Sequence, residues 1–123
     1  MLKIYHHEKC STCRNALAWL ALRGIAHKPV PIRQTPPTAD ELRAALRASG
    51  KPLKSVVNTS GMDYRALGLK DRLPGMHEDE ALALLASNGM LVKRPFAVNA
   101  RQGIYLHGFR EKEWAAAFPD GPR

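Results

Sequence analysis

The stretch "LKIYHHEKCSTCRNALAWLALRG" covers residues 2–24 and contains both cysteines of the chain, Cys10 and Cys13. Its first four residues are a short apolar strand candidate, and apolar side chains then recur at helical spacing over residues 12–23. Gly24 follows at a position where helices commonly end. The stretch therefore predicts a strand, a loop and a helix, with Cys10 at or just before the first helical turn.

The remaining sequence continues the alternation of strands and helices. "HKPVPI" predicts a second strand, which its prolines place at a sheet edge. "TPPTADELRAALRASG" predicts a helix, since Thr38 and Glu41 match a capping box and Gly50 ends the pattern. "MDYRALGL" and residues 78–87 predict two more helices, "MLVKRPFAV" and "IYLHG" a β-hairpin, and "EKEWAAAF" a last helix. This order predicts an α/β, thioredoxin-like fold with a mixed sheet, formed by one domain over residues 1–118, with residues 119–123 as a disordered tail.

Composition and charge narrow the class of protein. The chain has 123 residues, 45% of them hydrophobic, and carries a net charge of +8. Ten basic residues precede Gly61, against Glu8, Asp40 and Glu41. Because these bases are scattered and aromatic residues are few, we expect anionic small molecules or acidic proteins as partners rather than direct nucleic-acid binding. No apolar run has the length of a membrane span or a signal peptide, so we expect a cytoplasmic protein. We also expect it to be a monomer.

The C-x-x-C pair allows three interpretations: half of a zinc site, a redox pair, or two inert buried thiols. A zinc site needs further ligands, and the five histidines show no second C-x-x-C and no H-x₃₋₅-H spacing, so we expect no metal. The start of a helix favours negative charge on the sulfur of Cys10, with His6, Lys9 and Arg14 near it in the sequence. We therefore expect Cys10 to be the nucleophile and Cys13 the resolving thiol.

A second motif is the Arg94–Pro95 dipeptide within "LVKRPFAV". In thioredoxin-like folds a cis-proline precedes the strand that faces the active cysteine, and Pro95 is placed to be that residue. Arg94 would then bring a planar, always-charged guanidinium near the thiolate, suited to an oxyanion or a carboxylate. The alternative is a proline at a strand edge beside a solvated arginine.

The stretches "YHHEKCSTCRNAL", "TPPTADEL", "NTSGMDYRALGL" and "LVKRPFAV" together resemble the family of glutaredoxin-coupled arsenate reductases and Spx-like regulators. The resemblance covers roughly residues 1–118 and implies a helical segment inserted into the thioredoxin-like fold. It places Cys10 on the catalytic cysteine, His6 on the adjacent histidine, and Arg94 with Pro95 on the Arg–cis-Pro pair. It implies no bound cofactor, with glutathione and glutaredoxin, or thioredoxin, as reductant.

The sequence departs from the arsenate reductases at the oxyanion site and at the second cysteine. Those enzymes carry three arginines, where this chain has Asn58 at one position, Gly108 at approximately another, and Arg94 at the third. They commonly have a serine in place of Cys13, so the C-x-x-C pair is more similar to the Spx-like branch. We therefore expect a thiol-dependent oxidoreductase that handles arsenate poorly, the alternative being a redox-sensing regulator that binds RNA polymerase.

Overall fold

The computed structural model of the protein describes residues 1–119. Of the predicted tail only Pro119 is among them, so the disorder of the tail stays a prediction. The strands are β1 (Leu2–His6), β2 (His27–Pro31), β3 (Phe96–Asn99) and β4 (Ile104–His107). The helices are α1 (Ser11–Leu22), α2 (Ala39–Ser49), α3 (Met62–Ala66), α4 (Leu69–Arg72), α5 (Glu78–Ser87) and α6 (Glu111–Ala117). Short 3-10 turns cover Leu53–Val56, Leu73–Gly75, Gly89–Leu91 and Ala100–Gln102.

The chain groups into two compact units. The sheet unit comprises Met1–Pro31 and the chain from Arg94 onward, with the four strands, α1 and α6. The insert unit comprises Ile32–Lys93 and holds α2 to α5. The predicted fold class, a mixed sheet interrupted by a helical segment, is confirmed.

The sheet has the strand order β2-β1-β3-β4. β1 and β2 are parallel, while β3 pairs antiparallel with both β1 and β4. β2 is an edge strand, as its prolines predict, because a proline has no N–H to donate to a neighbouring strand. The register sets Tyr5 of β1 opposite Phe96 of β3, so the residues just before β3 adjoin the end of β1.

An aromatic cluster fills the core of the sheet unit. Trp19 of α1 and Trp114 of α6 meet edge to face, with ring centroids 6.1 Å apart. Both rings pack with Phe118 and with Leu2 and Ile4 of β1. α1 and α6 therefore cover the sheet face to which the even-numbered residues of β1 point.

The insert unit has an aliphatic core and strong local helix signals. Thr38 caps α2 by accepting from the Glu41 N–H at 3.1 Å, and the Glu41 carboxylate accepts from the Thr38 N–H at 3.0 Å. The predicted capping box is thus confirmed, and Gly50 ends the helix in the left-handed region, with φ 67°. Arg47 of α2 pairs with Glu78 of α5 at 2.7 Å, and this hydrogen-bonded contact lowers the pKa of Glu78.

Two predicted elements differ in extent from the observed ones. The first hairpin strand begins only at Phe96, because Pro95 cannot donate to a ladder, and Val92 instead forms a bridge with Val57. The helix predicted over "MDYRALGL" is divided into α3 and α4, because Gly68 adopts a left-handed conformation with φ 63°.

Candidate active site

Cys10 is the N-cap residue of α1. Its backbone is extended, and its Sγ atom accepts a hydrogen bond from the Cys13 N–H at 3.1 Å. The Cys10 N–H in turn donates to the carbonyl of His7 at 3.1 Å, which holds the loop after β1 in a tight turn. Helix N-caps are usually hydroxyl, carboxylate or amide side chains. The sulfur atom of Cys10 takes the place of their oxygen acceptor, at a helix N-terminus that favours negative charge. The half-buried Sγ atom lies at the positive end of the α1 dipole.

Cys13 lies one turn further along α1 and is fully buried. Burial raises the pKa of the Cys13 thiol to about 12, and its hydrogen bond to Cys10 and the charge of Cys10 act in the same direction. A backbone hydrogen bond of His7 and the charge of Arg94 act in the opposite direction. Both cysteines are free thiols. The pair is therefore asymmetric, with a half-buried cysteine at the helix start and a fully buried cysteine, whose pKa is raised, one turn further on.

Arg94 and Pro95 reach this site through the sheet register. Tyr5 pairs with Phe96, so Pro95 follows next to His6, where β1 ends and the cysteine loop begins. The Arg94–Pro95 peptide bond is cis, as the resemblance implied, and the Pro95 carbonyl accepts from the Gly108 N–H at 2.8 Å. Because the charge of Arg94 acts on Cys13, a basic group stands within electrostatic range of the pair.

His6 and Arg14 both belong to the sheet unit but differ in their surroundings. His6 is half-buried at the end of β1 and, by strand alternation, shares a face with Leu2 and Ile4, the face that α1 covers. Arg14 is exposed, and its guanidinium donates to the carbonyl of Glu8 at 3.0 Å. Arg14 thus contacts the backbone of the cysteine loop. An electrostatic interaction between Arg14 and the Cys10 sulfur stays a prediction.

Asn58 and Gly108, the two positions at which this chain lacks an arginine, differ in their backbone conformation and surroundings. Asn58 lies in the insert unit, where its side-chain amide donates to the carbonyl of Met90 at 3.2 Å and its N–H to that of Leu91 at 2.8 Å. Gly108 is buried and has φ 76°, a conformation that side chains with a Cβ rarely adopt. An arginine is therefore sterically compatible with the backbone at position 58 and strained at position 108.

His7 contributes to the cysteine loop, although no sequence motif points to it. Its carbonyl accepts from the Cys10 N–H, and its Nδ1 atom accepts from the Lys9 N–H at 3.3 Å. A backbone group of His7 also bonds the Cys13 thiol. The signal that could have identified it is its position three residues before a helix N-cap, where a turn must close.

Residues 1–119 contain neither a candidate metal-binding group nor a helix that could span a membrane. Across residues 1–119, no group of three or more His, Cys, Asp or Glu side chains is arranged to hold a metal ion. None of the helices in that range is long and apolar enough to span a membrane.

Comparison with known proteins places most of the chain in one group. The model described as "ArsC family" matches residues 5–117. The chain is 44% identical over 113 residues to the uncharacterized protein YusI of Bacillus subtilis, covering 92% of this chain and 94% of that protein. It is 34% identical over 95 residues to an arsenate reductase of Rhizobium meliloti, covering 77% of this chain and 66% of that protein.

A regulator and a solved structure extend the comparison. The global transcriptional regulator Spx of Enterococcus faecalis is 29% identical over 114 residues, covering 92% of this chain and 83% of the regulator. The crystal structure of a possible arsenate reductase from Streptococcus mutans superposes with a TM-score of 0.84 at 44% identity, covering 93% of this chain and 97% of that one. A named reductase and a named regulator are thus similar to this chain in sequence, and a possible arsenate reductase is similar to it in structure.

Proposed function

This chain belongs to the ArsC family, and from that premise we propose that it is a thiol-dependent oxidoreductase with Cys10 as nucleophile and Cys13 as resolving thiol. The observation that carries the proposal is the asymmetry of the pair. Cys10 is half-buried and its sulfur accepts a hydrogen bond at a helix N-terminus, whereas Cys13 is fully buried. Reaction at Cys10 followed by internal closure suits this arrangement better than two equivalent ligands or two inert thiols.

The proposed first step is attack by the Cys10 thiolate on one sulfur of a substrate disulfide. A bond forms between the Cys10 sulfur and that atom, the substrate S–S bond breaks, and the second half leaves as a thiolate. The negative charge on Cys10 is then gone, and with it one of the influences that raise the pKa of Cys13. The first step therefore makes Cys13 easier to deprotonate, so Cys13 reacts after Cys10.

In the second step Cys13 loses its proton and its sulfur attacks the Cys10 sulfur. The Cys10–Cys13 disulfide forms, the bound half of the substrate leaves as a thiolate, and that thiolate takes up the proton. The substrate disulfide has gained two electrons and the protein dithiol has lost two. We propose glutathione with glutaredoxin, or thioredoxin, as the reductant that returns the pair to the dithiol.

For the substrate, we propose a mixed disulfide of glutathione rather than arsenate. A tetrahedral oxyanion in water needs several converging charged donors, since an exposed ion pair contributes only about 1 kcal/mol or less. The amide of Asn58 is bonded to Met90, and Gly108 has no side chain. A single guanidinium at Arg94 beside a cis-proline still suits the carboxylate of a glutathione-like peptide.

The test is a glutathione- and NADPH-coupled assay of both substrates with the wild type, Cys10→Ser, Cys13→Ser and Asn58→Arg. We expect the wild type to reduce the mixed disulfide, with a loss of about 10³-fold or more in Cys10→Ser. Cys13→Ser should accumulate a Cys10 adduct heavier by one glutathione in mass spectrometry. Arsenate turnover should be weak and should rise in Asn58→Arg. Strong arsenate turnover by the wild type would overturn the substrate proposal.

A redox-sensing regulator is the second candidate, favoured by the C-x-x-C pair together with the likeness to Spx. The same disulfide would then act as a switch, with an acidic surface such as one on RNA polymerase as partner, which the +8 charge suits. Reversible Cys10–Cys13 oxidation without turnover, and binding of RNA polymerase in only one redox state, would favour this candidate.

A further inference from the structure

A cavity of about 260 Å³ opens in the insert unit, outside the thiol chemistry described above. Its walls come from the 3-10 turn at residues 53–56, from α3 and α4, and from the turn at residues 73–75. Leucines 53, 69 and 73 together with Tyr64 and two prolines provide an almost entirely apolar lining. Gly68, with φ 63°, separates the two short helices α3 and α4 that contribute to these walls.

The size of the cavity limits what can occupy it. Pockets for drug-sized ligands and cofactors usually enclose about 300–1,000 Å³, so this one lies just below that range. It is large enough for one bulky apolar side chain, the kind of anchor that dominates many protein interfaces. An anchor from a protein segment therefore fits the volume better than a large cofactor does.

The charge at the cavity has one sign. Its charged lining residues are Lys54 on one wall and Lys70 on the other, and both are exposed. Within residues 1–119 neither lysine takes part in an ion pair. Two cationic groups beside an apolar cavity select an apolar anchor that is flanked by carboxylates.

Nucleic acid fits these features less well. Single-stranded nucleic acid binds on exposed aromatic platforms as well as basic grooves, and the one aromatic residue of the insert unit, Tyr64, is 7% exposed. A phosphate backbone would also leave the apolar lining without a partner. We therefore propose that this cavity is a docking site for an acidic protein segment that inserts one bulky apolar side chain between Lys54 and Lys70.

The site is independent of the thiol chemistry, so its test does not depend on turnover. The probe is a short fluorescein-labelled peptide of Asp, Glu and Gly with one central Phe, titrated with the reduced full-length protein. The matched peptide has Ser in place of Phe. We expect saturable binding of the Phe peptide, and binding about tenfold weaker for the Ser peptide, because the anchor supplies most of the apolar burial.

Three protein variants, one of them a control, then identify where the peptide binds. Lys54→Glu/Lys70→Glu should weaken the Phe peptide about tenfold or more, because two attractions become repulsions. The control Lys28→Glu/Lys112→Glu changes the net charge equally at two other exposed positions and should retain most of the binding. Leu73→Ala should weaken the Phe peptide about fivefold and leave the Ser peptide unchanged, because it removes apolar wall and no charge.

Several results would overturn the proposal. Equal losses in the two charge-reversal variants would show binding to net charge rather than to the cavity. Saturable binding of octanoate, measured by calorimetry, with no binding of the peptide would assign the cavity to a small amphipathic anion. Unchanged binding in both Leu73→Ala and Lys54→Glu/Lys70→Glu would show that the peptide does not bind in this cavity. Urea unfolding of each variant identifies any loss that reflects a damaged fold.

Discussion

The sheet unit and the insert unit are stabilised in different ways. Seven of the eight aromatic residues lie in the sheet unit, and Tyr64 is the exception. The sheet unit is thus built around large rings and around strands that are distant in sequence, such as β1 and β3. The insert unit is built from leucines and capped helices, and exposed ion pairs link α2 to α5. The difference indicates that the thiol site depends on non-local pairing, whereas the insert depends on local helix signals and close packing.

The largest loss in free energy of unfolding is expected at Gly89, in the insert unit. A Cβ atom there would overlap the carbonyl oxygen of Ile32, and backbone cannot move aside as easily as a side chain end. We expect Gly89→Ala to lower the free energy of unfolding by about 3 kcal/mol, measured by urea denaturation. Gly75→Ala is the control, because nothing lies within 4 Å of its Cβ position.

Both tryptophans lie in the sheet unit, so their fluorescence reports that unit alone, while far-UV circular dichroism reports all the helices. We expect Gly89→Ala to shift the dichroism transition at least as far as the fluorescence transition. An undiminished free energy of unfolding would contradict the close approach at Gly89, and a shift confined to fluorescence would contradict its assignment to the insert.

An intermediate effect is expected from Cys13 in the sheet unit at high pH. Burial raises its pKa to about 12 in the folded state, against an ordinary value of 9.0. Below the pKa of the unfolded chain the thiol is protonated in both states, and the free energy of unfolding has its full value. As the pH rises further, the unfolded chain loses the proton and the folded chain keeps it, so stability falls. We expect a loss of about 2 kcal/mol by about pH 10.5.

The measurement is the free energy of unfolding against pH for the wild type and for Cys13→Ala, which removes the titrating thiol. The wild type should lose more stability than the variant between pH 9 and 12. Identical slopes would show that Cys13 ionises as easily in the folded protein as in the unfolded chain, and would remove the thermodynamic basis for the asymmetry of the pair.

The smallest effect is expected at the cap of α2 in the insert unit. Thr38→Ala removes the side-chain acceptor for the Glu41 N–H and should cost about 1 kcal/mol of unfolding free energy. Thr35→Ala is the matched control, because Thr35 is exposed and lies outside the helix. A cost near zero at Thr38 would show that the insert depends less on its helix caps than the comparison with the sheet unit suggests.

The sequence predicts local features well because each depends on neighbours in the chain. The capping box at Thr38, the helix end at Gly50 and the limits of α5 follow from hydrogen bonds within a few residues. The placement of Cys10 before the first turn of α1 follows in the same way, since the apolar repeat starts just after it. Four stretches also sufficed to indicate the family, which the comparisons confirm.

Local patterns fail where a distant strand or a glycine decides the backbone. The strand predicted over "MLVKRPFAV" is too long, because Pro95 stops the ladder and Val92 pairs with Val57 across the insert unit. The helix over "MDYRALGL" is divided at Gly68, a residue compatible with either outcome until its φ is known. Neither difference can be derived from residue spacing, because each reflects a contact or a dihedral angle.

Residue order alone is enough to predict the main strands and helices in sequence, the limits of α2 and α5, and two thiols at a helix start. The three-dimensional structure adds that Cys13 is fully buried, which raises its pKa, and that Arg94 and Pro95 adjoin the end of β1. The physical reason is that burial and strand register are set by residues that are far apart in the chain. Capping and helical periodicity, in contrast, are set within a single turn.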